Sequence, residues 1–154
     1  MHRTASASAA LVLALAALPA AVLSFSALPA QAQEGAALTV AFKDIQTPSG
    51  VMMIALFDSQ ESYDKGGKPI HAARVPVTSA VAETKVAGLK PGRYAIKAFH
   101  DVDGDGKMGT NPFGIPLEPF AFSNNAKGSM GPASWAAASF DVPAAGAAQT
   151  IQID

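Results

Sequence analysis

The sequence predicts an all-β protein, an antiparallel β-sandwich of about seven strands with one long ordered loop. Three observations carry that expectation. Short apolar segments alternate with a period of two residues, as half-buried strands do. Turn signals built from Gly, Pro, Asp and Ser separate these segments at short intervals. Beyond the first thirty or so residues no stretch carries a convincing helical period, and short, evenly punctuated strands favour a sandwich.

The chain opens on a segment that reads as a leader. Met1, His2 and Arg3 form a short basic end, Ala9 to Leu18 an Ala/Leu centre, and Ala30-Gln31-Ala32 the small-x-small pattern of a cleavage site. Pro19 interrupts the run, and its densest apolar part is shorter than the roughly 20 residues a spanning helix needs. A signal peptide over residues 1–32 is therefore expected. Residues 33–154 are then a single exported domain, periplasmic or extracellular, with no stable membrane insertion after cleavage. The chain has no cysteine, which excludes both a disulfide framework and a thioether lipid anchor. Without Arg3, ten basic side chains face twelve acidic ones with no basic run, so nucleic acid and anionic membrane surfaces are poor partners.

In the first expected strand, Leu38 to Lys43, the large residues Leu38, Val40 and Phe42 share one face. Pro48-Ser49-Gly50 makes the turn. Val51 to Phe57 is apolar on both faces and reads as a central strand covered from two sides. Asp58 to Pro69 is polar and glycine-bearing, a rim loop, and His71 lies in the loop segment that follows. Ala73–Ala80 and Val81–Val86 read as two strands joined near Ser79 and Ala80. After a turn at Gly88–Gly92 the next strand, Arg93 to His100, places Tyr94, Ile96, Ala98 and His100 on one face and Arg93 and Lys97 on the other. Ala138–Val142 and Gln149–Ile153 close the set.

Between Met108 and Trp135 the periodicity fades. A stretch this long is usually functional or disordered. Phe113, Ile115, Leu117, Phe120, Phe122, Met130 and Trp135 are too many large apolar groups for a solvated tail, so an ordered excursion folding back on the sandwich is expected.

The chemistry concentrates where the fifth expected strand enters this excursion. Asp101, Asp103 and Asp105 alternate and are followed by Gly106, as in the first half of a calcium loop. Counting from Asp101, Lys107 offers only its backbone carbonyl at the seventh position, and Pro112 stands where an EF-hand places a bidentate acid. Closure would fall to a side chain of the excursion, with Asn111 and Glu118 as candidates. Ca2+ is the expected ion, since flexible oxygen-rich loops suit it better than Mg2+. The competing account is a tight acidic turn built from residues that turns select. A second set, His100, Asn124, Asn125, Phe122 and Trp135, combines polar groups with an apolar platform and forms a candidate ligand site. Its competing account is structural: His100 fixing a strand end, and the asparagines satisfying backbone groups in the loop.

Pro91-Gly92-Arg93-Tyr94, Phe99-His100-Asp101, the Gly104-Asp105-Gly106-Lys107 turn, Gly114-Ile115-Pro116 with Glu118, Phe122-Ser123-Asn124-Asn125-Ala126 and Gly131-Pro132 occur in this order. The set resembles the bacterial exported family DUF2141, a domain of unknown function, over essentially the whole chain after the leader. The resemblance implies a sandwich similar to transthyretin-like and carboxypeptidase-regulatory-like domains. Transthyretin-like sandwiches include a purine-pathway hydrolase ending in Tyr-Arg-Gly-Ser. This chain ends Ile151-Gln152-Ile153-Asp154, so that activity does not carry over.

The sequence thus favours an exported, non-catalytic binding or interaction module with a calcium-stabilised acidic loop, its partner a small molecule, a glycan or an envelope protein. The alternatives are a structural envelope protein without metal, and a hydrolase using His100 beside the aspartates. No serine-nucleophile elbow, zinc-helix motif or phosphate loop is present.

Overall fold

The computed structural model describes residues 35–153, and the expected signal peptide and its cleavage site lie outside the described residues. Eight strands form two sheets. They are β1 (Ala36–Lys43), β2 (Val51–Phe57), β3 (His71–Pro76), β4 (Ala82–Leu89), β5 (Gly92–Asp101), β6 (Phe120–Phe122), β7 (Phe140–Val142) and β8 (Ala147–Gln152). One sheet has the order β4-β1-β8, the other β3-β2-β5-β6, with β7 also on β5. The named strands pair antiparallel except for β1 with β8, which run parallel.

Alternation decides what each strand buries. Leu38, Val40 and Phe42 of β1 meet Met52, Ile54 and Leu56 of β2 and Ile96 and Ala98 of β5 in the core between the sheets. This is the face the sequence assigns to Leu38, Val40 and Phe42, and Tyr94, Ile96, Ala98 and His100 share a buried face as expected. The outward face of the larger sheet is covered as well. Phe57, Tyr63, Ala95, Phe122, Ala133 and Ala138 form a second buried cluster there, with Trp135 packed against it. That cluster covers Phe57 and Ala55 at one end of the outward face of β2, while Met53 on the same face borders an open cleft.

Several boundaries differ from the sequence expectation, each for a local reason. The rim loop contains a short helix, α1 (Gln60–Asp64), whose N-cap Ser59 accepts the Ser62 N–H. One turn is too short to show a period. His71 opens β3 instead of lying in a loop, because Leu56 extends the ladder to it. The joint near Ser79 is present, with the Val81 N–H donating to the Ser79 hydroxyl. β4 runs on to Leu89, past the expected turn at Gly88, because Leu89 pairs with Ala36 across an irregularity in the ladder. β8 begins at Ala147, which pairs with Leu38.

Ala138 belongs to a second short helix, α2 (Trp135–Ala138), and not to β7. The carbonyls there are taken by side chains: Ser123 donates to Ala138 O at 2.6 Å, and Asn124 donates to Ala137 O and Ser139 O at 3.2 and 2.9 Å. Strand pairing starts only after them. The excursion is ordered and supplies β6, whose three residues pair with Lys97, Ala98 and Phe99.

Candidate functional site

Asp101 is the last residue of β5 and is fully buried on the outward face of the larger sheet. A buried carboxylate must be satisfied by donors. Its two oxygens accept the N–H groups of Gly104 and Gly106 at 2.8 and 2.9 Å, and Arg74 Nη2 lies 3.8 Å away. The turn continues in the same manner, with Asp105 N–H donating to Asp103 and Lys107 N–H to Asp105. Oxygens of Asp101, Asp103 and Asp105 come within 4.8 Å of one another. Gly104 and Gly106 both have φ near +80°, the backbone region that glycine enters without strain. These three acids are brought together as the spacing predicts.

Glu118 closes the turn through hydrogen bonds to backbone. Its carboxylate accepts the N–H of Val102 at 3.0 Å with one oxygen and that of Gly109 at 2.9 Å with the other. It therefore ties both ends of the acidic turn to the strand of chain leading into β6. Beyond Gly109 the chain forms a small hairpin: Leu117 N–H donates to Gly109 O, Asn111 N–H to Ile115 O, and Thr110 bridges Pro116. Asn111 Oδ1 accepts from Phe113 and Ile115, which fixes the hairpin tip. Asn111 thus stands in the flap, Glu118 at its base, and Lys107 in the turn through its backbone.

The tip of this flap faces a second one around Gly128–Pro132, and between them and the sheet lies an apolar cleft of ≈ 1120 Å³. That is about the upper end of the roughly 300–1,000 Å³ usual for small-molecule sites. Its floor is set by strand register. Arg74, Met53, Phe99 and Phe120 form one rung across β3, β2, β5 and β6, and Ala72, Ala55, Lys97 and Phe122 the next. The walls are Phe113 to Pro116 on one side and Gly128, Met130, Gly131 and Pro132 on the other. Its apolar lips are open to solvent: Phe113 is 88 % exposed, Ile115 58 % and Met130 107 %. Met130 holds φ at +59°, an uncommon conformation for a side-chain-bearing residue outside Asn and Asp.

One end of the cleft is organised by Tyr63 of α1. Its ring meets Phe57 and Trp135 edge-on at centroid distances of 5.6 and 5.7 Å, and its hydroxyl donates to Ala133 O at 2.9 Å. Burial raises its pKa from 10.0 to about 12, with the charge of Asp64 adding to the effect. Lys97 lies with Nζ 4.1 Å from the Tyr63 ring centroid and donates to Tyr63 O at 2.6 Å. Burial lowers the Lys97 pKa, against an opposing contribution from Asp64.

The second candidate set is scattered. His100 is 1 % exposed on the inward face, and its Nε2 lies 2.6 Å from Ser49 O. It opens onto neither the large cleft nor a smaller pocket of ≈ 220 Å³ beside β6. Asn124 serves the carbonyls of α2, and Asn125 accepts the Gln152 N–H at 2.8 Å. Both hold positive φ. Trp135 packs on Tyr63, and Phe122 alone of the five lines the large cleft. Sequence reasoning passed over Met53, Ala55, Arg74, Lys97 and Phe99. The signal was present in the two-sided apolarity of β2 and in the face on which Lys97 falls, but which loop covers that face is a long-range matter.

No curated protein and no solved structure matches the chain significantly. A family model does, over residues 40–152, from within β1 to the end of β8 and across the acidic turn, both flaps and the cleft floor. By that match the chain belongs to the family described as "Uncharacterized protein conserved in bacteria (DUF2141)".

Proposed function

We propose that the protein is a non-catalytic binding module that takes an apolar small molecule in the cleft on the outward face of its larger sheet. The observation that carries this reading is the cleft itself, a sheet floor between two flaps whose lips expose Phe113, Ile115 and Met130. Apolar surface of this extent, gathered around a concavity, is what a binding site presents to solvent. The lining favours a small apolar ligand over a glycan, which needs polar groups converging on its hydroxyls. His100, held in the inward face by Ser49, lends no support to a hydrolase.

Ca2+ at the acidic turn belongs to the same reading. Asp101, Asp103 and Asp105 would supply hard carboxylate oxygens, each with lone pairs beyond those already engaged by backbone N–H groups. The ion would offset the repulsion among three clustered acids, to which Arg74 is the one cation within ion-pair reach among the described residues. Order in the turn reaches the flap through Glu118, which holds Val102 and Gly109 together. Export, with action in the periplasm or outside the cell, follows from the leader pattern at residues 1–32.

The test is a fluorescence titration with N-phenylnaphthylamine, a neutral probe that brightens in apolar surroundings. Saturable uptake at one probe per chain is expected, lost in Met53→Trp, which fills the centre of the floor. Absence of saturable uptake by the wild-type protein would refute the reading.

A further inference from the structure

The cleft is apolar but not electrically neutral. Its lining contains two cations, Arg74 and Lys97, and no carboxylate. The two differ in what already satisfies them. Arg74 lies 3.8 Å from the buried Asp101 carboxylate, so its charge is partly matched. Lys97 is half-buried and meets one carbonyl, Tyr63 O, together with the rings of Tyr63 and Phe57 at 4.1 and 5.5 Å. No carboxylate lies within ion-pair distance of its ammonium among the described residues, and the charge of Asp64 acts on it only from farther off. An ammonium carries three donors, and desolvation makes each unmatched one costly. The lowered pKa of Lys97 has that same cause. Its position is fixed by register beside Phe122 and Ala55, at the edge of the apolar floor.

Resting on the reading of the cleft as an apolar-ligand site, we infer that its ligand is a monomeric anionic amphiphile, with its head at Lys97 and its hydrocarbon chain along Met53, Phe99, Phe113, Ile115 and Met130. The chain would cover the exposed lips, and the head would give direct ionic partners to a cation whose close contacts are aromatic rings and a single carbonyl, with Asp64 acting only at longer range. A cationic amphiphile would place like charge beside Lys97 and Arg74. A neutral one would leave the ammonium as it is.

The experiment displaces N-phenylnaphthylamine from the protein at neutral pH with decanoate, decanol or decyltrimethylammonium. Decanol leaves water more readily than decanoate, so hydrophobicity alone ranks the alcohol first. Recognition of the head reverses that order, with decanoate binding about tenfold or more tightly than decanol and the cation weakest. Lys97→Met should remove the preference while leaving decanol displacement in place, and Lys97→Arg should restore it. If the probe binds but decanoate is no better than decanol, or the cation competes equally, the anionic assignment is overturned while the apolar cleft stands. If the probe does not bind at all, the cleft reading itself fails. Adsorption to phosphatidylglycerol vesicles without displacement by free decanoate would also overturn the inference, since the lips would then be serving a membrane surface.

Discussion

At the scale of single residues, two buried polar side chains explain how a long excursion can lie on a sheet without leaving backbone groups unsatisfied. Ser123 is fully buried, accepts the Ile96 N–H at 2.8 Å and donates its own O–H to Ala138 O. It stands in for a strand residue between the short segments that β6 and β7 pair with β5. Tyr63 does the corresponding work at the other end, tying α1 to Ala133. Its phenol is raised to about 12, first by burial and then by Asp64. A raised folded-state value means that its contribution is intact below the unfolded pKa near 10 and is lost as pH climbs towards 12. The loss is on the order of 3 kcal/mol at most. Lys97 works in the opposite sense, since its lowered pKa lets stability rise as pH approaches its unfolded value of 10.5. Denaturant unfolding of the wild type and Tyr63→Phe between neutral pH and pH 12 separates them. The variant should be about 1–3 kcal/mol less stable at neutral pH and lack the Tyr63-specific alkaline loss. A parallel decline in both proteins would show that Tyr63 is not its source.

At the scale of elements, the acidic turn and the flap behave as one unit because Glu118 spans them. Gly50 fixes the other side of that unit: a Cβ there would sit 2.2 Å from Asp101 O, so β2 can approach the start of the turn only at glycine. Calcium bound by the turn should act on folding. At 100 times its dissociation constant, an ion that binds only the folded state adds about 2.7 kcal/mol. Thermal unfolding in chelator and then in millimolar Ca2+ should show a rise of several degrees. Asp103→Ala combined with Asp105→Ala should abolish it. An unchanged midpoint in the wild type would mean that backbone N–H groups and Arg74 satisfy these carboxylates without an ion.

The elements also show what the sequence made legible. Period-two alternation placed the buried faces of β1 and β5, and the two-sided apolarity of β2 foretold a covered outer face, because burial pattern is a local consequence of the pleat. Asp101, Asp103 and Asp105 were legible because a turn acts within a few residues. Helices α1 and α2 were not, since one turn of helix leaves no period to read. Nor was the cleft, whose floor joins residue 72 to residue 122 through register. Asn124 and Asn125 looked like ligand groups because a free amide and one engaged with the backbone are identical in sequence. Only the fold brings the carbonyls of α2 to Asn124 and Gln152 to Asn125.

At the scale of the whole molecule, the larger sheet lies between two apolar layers of different character. Inward, the core between the sheets is closed by strands from the whole length of the described chain. Outward, the second cluster covers one part of the sheet and gives way to the cleft at Phe122 and Lys97. That opening is the site proposed for the apolar ligand. The measurement that tests it most directly is the change in backbone amide shifts as neutral decanol is titrated into the labelled protein. Saturable changes gathered at Met53, Ala55, Phe99, Gly114, Ile115 and Gly131 are expected, with His100 and Asn124 little affected. Saturable changes centred on His100, Asn124 and Asn125, or none that saturate, would contradict it.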